Sequence, residues 1–279
     1  MRIHFNTMVK DEGLLLGVVL PIWKDYPVDT FVFYDDNSTD DTVEVIHRHL
    51  GRDRVVILND GLPKFHEAHH RSRMLDCSRE GQADYVLSID ADELLSANLH
   101  ANLEEVLATY DTVDTWLYWY NVVEGSLGWT RNDPSYAENY RSFILPLRHT
   151  GQLDRNQWKY HTPRVPKVDL PTARTRDFGI LHLQSINRRF YALKQLWYKH
   201  WEFHEYGHTV EEINRRYDPV VNHLRFMATR TPGPIVGNLK FDAAIYDRIE
   251  EQKGYLAYVL AHRVPELVTF GRDYLDGED

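Results

Sequence analysis

Tyr85-Val86-Leu87-Ser88-Ile89-Asp90-Ala91-Asp92-Glu93 is a short run of strand-forming residues that ends in three carboxylates. An apolar run of this length reads as a buried strand, and unpaired carboxylates are too costly to bury. The acids therefore belong at the strand's carboxyl end, in a crevice, with a cation among them. In open α/β sheets that edge is where ligands bind. Hard divalent cations take oxygen ligands and share them with substrate phosphates, so the stretch predicts a nucleotide diphosphate held through a metal. The plain alternative is an acidic helix start after an ordinary strand, which the helix dipole also favours.

Towards the N-terminus the pattern alternates. Residues 2–7 read as a first strand, followed by a helix with Leu15, Val18, Val19, Ile22 and Trp23 on one stripe, kinked or ended at Pro21. Residues 31–34 form a second strand that runs into Asp35-Asp36-Asn37-Ser38-Thr39-Asp40-Asp41-Thr42, where Ser38 can cap a helix burying Val43, Ile46 and Leu50. A third strand at 55–58 and a helix over 65–79 lead to the opening stretch. Alternating strands and helices imply an α/β fold with a parallel sheet of Rossmann type. Asp35/Asp36 and Asp90/Asp92 then close two strands at the same carboxyl edge.

Towards the C-terminus, a helix is expected over 99–110 and an aromatic strand over 115–123, with Trp116, Tyr118 and Tyr120 on one face. Residues 125–140 read as a loop, 141–147 as a strand, 149–178 as an irregular acceptor-side segment and 180–183 as a short strand. Phe190, Leu193, Trp197 and Trp201 mark a long helix, Thr209 with Glu212 a capping box, and 241–264 a helical tail stopped by Pro265. The expected division is a catalytic domain over 1–183 and a helical extension over 184–279. Within the first, 1–125 is the donor-binding part and 126–183 the acceptor-side part.

Composition narrows the function. The 279 residues are 43% hydrophobic and 27% charged, an ordinary globular balance. The net charge of −10 argues against a nucleic-acid partner. A single cysteine, Cys77, excludes an internal disulfide and fits a reducing, cytoplasmic setting. No apolar run approaches the ~20 residues of a transmembrane segment. Peripheral contact at the cytoplasmic membrane face stays open.

Three pieces in order, Thr7-Met8-Val9-Lys10-Asp11-Glu12, Tyr34-Asp35-Asp36-Asn37-Ser38-Thr39-Asp40 and Ile89-Asp90-Ala91-Asp92-Glu93, resemble the signatures of family 2-like glycosyltransferases with the GT-A fold. The resemblance covers residues 1–125 well and the remainder loosely. It implies a Rossmann-like, mostly parallel central sheet flanked by helices, and a transferase using a nucleotide sugar, foremost a UDP-sugar, with Mn²⁺ or Mg²⁺. By that likeness Asp92 is the direct metal ligand, and Asp90 reaches the ribose or a metal-bound water. Asp36, with Asp35 beside it, accepts from the uracil N3. Thr7 and Glu12 hold the nucleoside, and Arg73 matches the arginine of an Ala-Arg-Asn motif. His182 matches a third metal ligand. An inverting mechanism needs a carboxylate base, for which Asp154 is the first candidate, Asp169 the second and Glu138 the third. The Gln-x-x-Arg-Trp motif of processive synthases is missing, so one sugar per encounter is expected, passed to a glycan or glycolipid hydroxyl. Trp116, Trp129, Trp158 and Tyr160 are candidate stacking rings for that acceptor, and His161-Thr162-Pro163-Arg164 a candidate anion contact.

Two other readings compete. His66-Glu67-Ala68-His69-His70 satisfies His-Glu-x-x-His, which on a helix would make His66 and His70 zinc ligands and Glu67 the base of a metalloprotease. The arginines that follow, Arg71 and Arg73, sit where such helices are apolar. A sugar-nucleotide-binding relic without catalysis is the other reading, because a fold does not guarantee activity.

Overall fold

The computed structural model describes residues 1–122, 129–131, 140–149, 164–166, 168–224, 228–230, 242 and 244–276. In chain order the elements are β1 (Ile3–Val9), α1 (Gly13–Trp23), β2 (Thr30–Asp35), α2 (Thr42–Leu50), β3 (Val55–Leu58), α3 (Glu67–Glu80), β4 (Tyr85–Ser88), β5 (Glu93–Leu95), α4 (Ala97–Ala101), α5 (Leu103–Thr109) and β6 (Asp114–Asn121). They continue with β7 (Trp129–Arg131), β8 (Tyr140–Ser142), β9 (Ile144–Pro146), β10 (Thr172–His182), α6 (Arg188–Tyr206), α7 (Val210–Leu224) and β11 (Ala228–Arg230). Helices α8 (Ile245–Lys253), α9 (Tyr255–Ala261) and α10 (Arg272–Asp276) close the chain. Two compact units result. One holds Met1–Trp119 and the described part of Ala137–Leu181; the other holds the described parts of Tyr120–Tyr136, His182–Pro232 and Leu239–Asp279.

The first unit is a mixed α/β body around a mostly parallel sheet in the order β3-β2-β1-β4-β9. β3, β2, β1 and β4 run parallel, and β9 closes the edge antiparallel to β4. From β1 the chain winds outward to β2 and β3, then returns to place β4 on the other side of β1. That reversal between β1 and β4 is the topological switch point at which such sheets bind ligands.

Period-two alternation allots the side chains. On one face Phe5 meets Trp23, Tyr26 and Phe31, with ring centroids 4.6, 6.0 and 5.4 Å apart. On the other, Val32 and Tyr34 pack with Met74 of α3. Helices therefore cover both faces, which is why these strands are apolar throughout. The Trp23 indole N–H donates to Glu93 O at 3.1 Å, and Leu95 N–H donates to the Tyr26 hydroxyl at 2.8 Å. These bonds lock the segment after Asp92 onto the end of α1.

Several local expectations shift. The buried stripe of α1 is Leu15, Leu16, Val19, Leu20 and Trp23, with Val18 and Ile22 half-exposed. Pro21 does not end α1, because it falls in the last turn, where Lys24 N–H still reaches Leu20 O. Ser38 does not cap α2: its hydroxyl accepts from Asp11 N–H at 2.9 Å, and Asp40 Oδ1 accepts from Thr42 N–H at 3.0 Å instead. The expected 99–110 helix is broken at Asn102, and Phe143 interrupts the expected 141–147 strand. The segment expected to be irregular over 149–178 contains most of β10. Its polar residues concealed a strand because Arg174 and Arg176 are exposed and lay their guanidiniums over the Trp116 and Tyr118 rings of β6, at 5.4 and 5.0 Å. Those two rings are thus already covered by cations.

In the second unit α6 packs with α7 and α9. Asn187 Oδ1 caps α6 by accepting from Phe190 N–H at 2.8 Å, and Gly207 ends it at φ 66°. The capping box at α7 is present, with Thr209 N–H to Glu212 Oε2 at 2.9 Å and Glu212 N–H to Thr209 Oγ1 at 3.3 Å. The helical tail is two helices rather than one, parted by Gly254 at φ 66°. Among the described residues no helix is long and apolar enough to cross a membrane.

Candidate active site

Two loops at the carboxyl edge are tied to each other before any side chain faces a ligand. Asp11 and Asn37 take left-handed backbone, at φ 50° and 58°, a conformation that short polar side chains tolerate by bonding locally. Asp11 Oδ1 accepts from Thr39 N–H at 2.6 Å and from Asp40 N–H at 3.3 Å, while Glu12 N–H donates to Thr42 Oγ1 at 2.8 Å. Gly13 N–H donates to Asp40 Oδ2 at 3.0 Å. The first and second strand tips are therefore one stitched surface.

Within that surface Asp35 accepts from Ser38 N–H at 3.2 Å and from the Asn59 side chain at 3.3 Å, so it shapes its loop. Asp36 is buried at 3% exposure. Burial pushes its carboxyl up; the Lys10 ammonium at 3.3 Å opposes this, and Asp35 and Asp11 reinforce it. His70 Nε2 lies 3.6 Å from Asp36 Oδ1, and its ring stacks on Tyr34 at 4.0 Å and 16°. Burial pushes His70 down to about 3, which makes it a neutral imidazole at physiological pH.

At the tip of β4 a second arrangement alternates in charge. Arg71 is buried; its Nε donates to Glu67 Oε1 at 2.9 Å, and its two terminal nitrogens reach Ser88 Oγ and Asp90 Oδ1, each at 3.4 Å. Arg164 donates to Asp90 Oδ2 and to both oxygens of Glu93. Glu93 is fully buried and also accepts from Asp90 N–H at 2.9 Å. Burial works against the charge on Arg164, but Asp90, Glu93 and Asp92 together raise its affinity for the proton. The order Glu67, Arg71, Asp90, Arg164, Glu93 alternates anions and cations, so every charge in it has a neighbour of opposite sign.

The expected site residues separate accordingly. Asp35, Asp36, Asp90 and Asp92 all lie at the carboxyl edge, with Asp92 half-exposed. Glu12 is half-exposed at the start of α1, whereas Thr7 is fully buried within β1, its hydroxyl without a hydrogen-bond partner. Arg73 does not face Asp90: it pairs with Asp60 at 3.0 Å on the outside of α3. Arg71 takes that position, because Met74, Leu75 and Ser78, at three, four and seven residues further on, share its buried face. That helical phase was the available signal. His182 belongs to the second unit, where its Nδ1 lies 3.1 Å from Asn121 Oδ1 and 3.3 Å from Gln184 Nε2. Asp169 is exposed between Val168 and Leu170, which pack with Leu75, Ala83 and Val86 around the start of β4 rather than its tip. Asp154, Glu138, Trp158, Tyr160 and residues 161–163 lie outside the described residues, as does the side chain of Trp129.

The zinc-protease geometry is not formed. His66 precedes the helix as its N-cap, with φ −139°, its Nδ1 accepting from His69 N–H. Glu67 is held by Arg71 at 2.7 Å. Among the described residues no group of three or more His, Cys, Asp or Glu side chains converges as a metal cage. A Mn²⁺ or Mg²⁺ ion shared with a diphosphate needs less, one or two carboxylates with the phosphates supplying further oxygens. Asp92 stands half-exposed at the carboxyl edge. Each oxygen of Asp90 faces a guanidinium, Oδ1 that of Arg71 and Oδ2 that of Arg164.

No family model matches the chain. No curated relative matches it either. Among solved structures it is similar to S. aureus TarS 1–349, over 99% of this chain and 83% of that one, at 12% identity and a TM-score of 0.47. The same fragment solved with UDP gives 100% and 92% coverage, 12% identity and 0.46. Glucosyl-3-phosphoglycerate synthase from Mycobacterium tuberculosis, solved with Mg²⁺ and UDP, is similar over 43% of each chain, at 20% identity and 0.31. Likenesses this loose carry no argument about chemistry, which rests on the residues above.

Proposed function

We propose that this chain transfers a single sugar from a nucleotide-diphosphate donor, UDP-linked, to a hydroxyl of a glycan or glycolipid, with inversion. The observation that carries the reading is the convergence, beside the β1/β4 switch point, of Asp36 at one strand tip and Asp90 and Asp92 at the other, with Lys10, Arg71 and Arg164 among them. A departing diphosphate, which gains negative charge as its bond to the sugar breaks, needs such cations, and the metal that organises it needs a carboxylate. The ordered sequence motifs point the same way.

In this reading Asp36 receives the base, and the stitched Asp11–Thr42 surface fixes the donor's approach. Asp92 would hold Mn²⁺ or Mg²⁺ together with the diphosphate oxygens. The ion would supply Lewis-acid stabilisation of the departing diphosphate. His182 is proposed as a further ligand, and Asp154, then Asp169, as the base that deprotonates the acceptor. The catalytic domain over 1–183 and the helical extension over 184–279 remain the proposed division of labour.

The test is a thermal-shift titration with UDP and Mn²⁺, followed by an assay for UDP release from UDP-sugars. A rise in Tm that Asp92→Asn abolishes supports the reading. Unchanged Tm in wild type refutes it, and binding without UDP release across acceptors would make the chain a relic. Asp154→Asn and Asp169→Asn compared in the release assay decide the base.

A further inference from the structure

His70 stands behind Asp36. Its imidazole is fully buried, stacks on the Tyr34 ring at 4.0 Å and 16°, and meets the Phe65 ring at 5.2 Å and 85°. Rings on two sides fix its plane. Nε2 faces Asp36 Oδ1 at 3.6 Å, beyond hydrogen-bond length, and among the described residues neither ring nitrogen has a hydrogen-bond partner. Burial pushes His70 down to about 3, so the ring is neutral and carries one proton. A bare Nε2 would set its lone pair against the carboxylate, so the proton belongs on Nε2. Asp36 is held from its other side. Its Oδ2 accepts from the Lys10 ammonium at 3.3 Å, and its own N–H donates to Val9 O at 2.9 Å. Burial favours the protonated carboxyl here. An N–H dipole facing it out of contact with water favours the ionised form instead, and fixes which way the oxygens turn.

We propose that His70, acting through Asp36, sets the nucleobase selectivity of the donor site: a pyrimidine with an N–H between two carbonyls, as in uracil, is taken, and cytosine is refused. An ionised, oriented carboxylate only accepts. Uracil offers it N3–H, whereas cytosine turns a lone pair to the same point, so the charge that attracts one base repels the other. A carboxyl that is protonated or free to rotate can donate to cytosine N3, and the distinction narrows. A site built to bond one polar group discriminates strongly against the analogue lacking it, because its buried partner is left unpaired. His70 is a positioning residue here and touches no ligand. The selectivity rests on the proposed transferase reading, in which Asp36 receives the base.

The experiment is a calorimetric titration of the full chain with UDP and with CDP, both with Mg²⁺, for wild type, His70→Phe, His70→Gln and Asp36→Asn. Wild type should bind UDP at least roughly tenfold more tightly than CDP. His70→Phe, which keeps a ring on Tyr34, should bring that ratio to within about threefold. His70→Gln, which keeps a donor, should retain more of it and serves if His70→Phe does not fold. Asp36→Asn, whose amide can donate, should shift the preference towards CDP. If His70 only packs, His70→Phe weakens both nucleotides alike or neither, the ratio stays, and the proposal is overturned. Nitrogen NMR adds a readout that needs no nucleotide: the His70 proton should lie on Nε2 and its signal should move in Asp36→Asn, whereas a proton on Nδ1 overturns the proposal. Wild type that binds neither nucleotide defeats the transferase reading and the selectivity together. Wild type that prefers UDP while His70→Phe keeps the full ratio defeats the role of His70 alone.

Discussion

Replacing Arg71 by Met tests whether the alternating charges at the tip of β4 are mutually dependent. Arg71 and Glu67 are 4% and 7% exposed, joined by contacts of 2.7 and 2.9 Å. Arg71→Met leaves the Glu67 carboxylate buried without its cation, and breaking a buried pair from one side costs roughly 3–5 kcal/mol. Glu67→Gln should cost less, about 1–3 kcal/mol, because Arg71 keeps Asp90 and Ser88 as partners. In the double variant both buried charges are gone and Asp90 still has Arg164. It should be more stable than Arg71→Met alone, with a coupling energy of at least roughly 2 kcal/mol. Urea unfolding near neutral pH, followed by circular dichroism and tryptophan fluorescence, measures all three. A cost below about 1 kcal/mol for Arg71→Met, or a double variant no more stable than that single one, would refute the argument.

Other expectations come from elsewhere in the molecule. His70, pushed down to about 3 from an ordinary 6.5, binds fewer protons in the native state than in the unfolded chain between those values. Its contribution to stability is therefore fully present above pH 6.5 and is lost as pH falls through the window, by at most roughly 1.4 kcal/mol per pH unit. Asp36, shifted up, acts with the opposite sign. His70→Phe keeps a ring on Tyr34 without the titration, so its Tm should fall less than that of wild type on acidification; parallel curves would contradict this. Gly13→Ala would drive a Cβ into Asp41 Oδ1 and place it 3.1 Å from Asp40 Oδ2. Asp41 can swing into solvent but Asp40 is held by Thr42, so a cost of about 1–2 kcal/mol is expected in urea unfolding. Thr209→Ala removes one half of the α7 capping box and should cost about 1 kcal/mol, detectable as a lower Tm. Lys199 is fully buried against Asp218 at 2.7 Å and Thr269 at 2.8 Å. Asp218 keeps 26% exposure and can rehydrate, so Lys199→Met should cost less than Arg71→Met despite its deeper burial.

The sequence alone determined the parallel sheet and the edge at which its acids gather. Apolar runs of four to seven residues alternating with segments of helical spacing admit few other arrangements, and β1 to β4 lie where those runs predict. Period-two and helical spacing are local, so they survive in one dimension. Which cation meets which carboxylate is not local. Arg164 stands 74 residues from Asp90 and 71 from Glu93 in the chain, and no spacing rule joins them. The choice of Arg71 over Arg73 was legible in the phase of α3, because Met74 and Leu75 lie three and four residues beyond Arg71, but its meeting with Asp90 needed the helix docked on the sheet. The strand over 172–182 was hidden because its exposed arginines look like loop residues until the rings of β6 lie beneath them. Chain folding brings these groups within hydrogen-bond reach, and at that range electrostatics decides that Asp90 is engaged by Arg71 and Arg164.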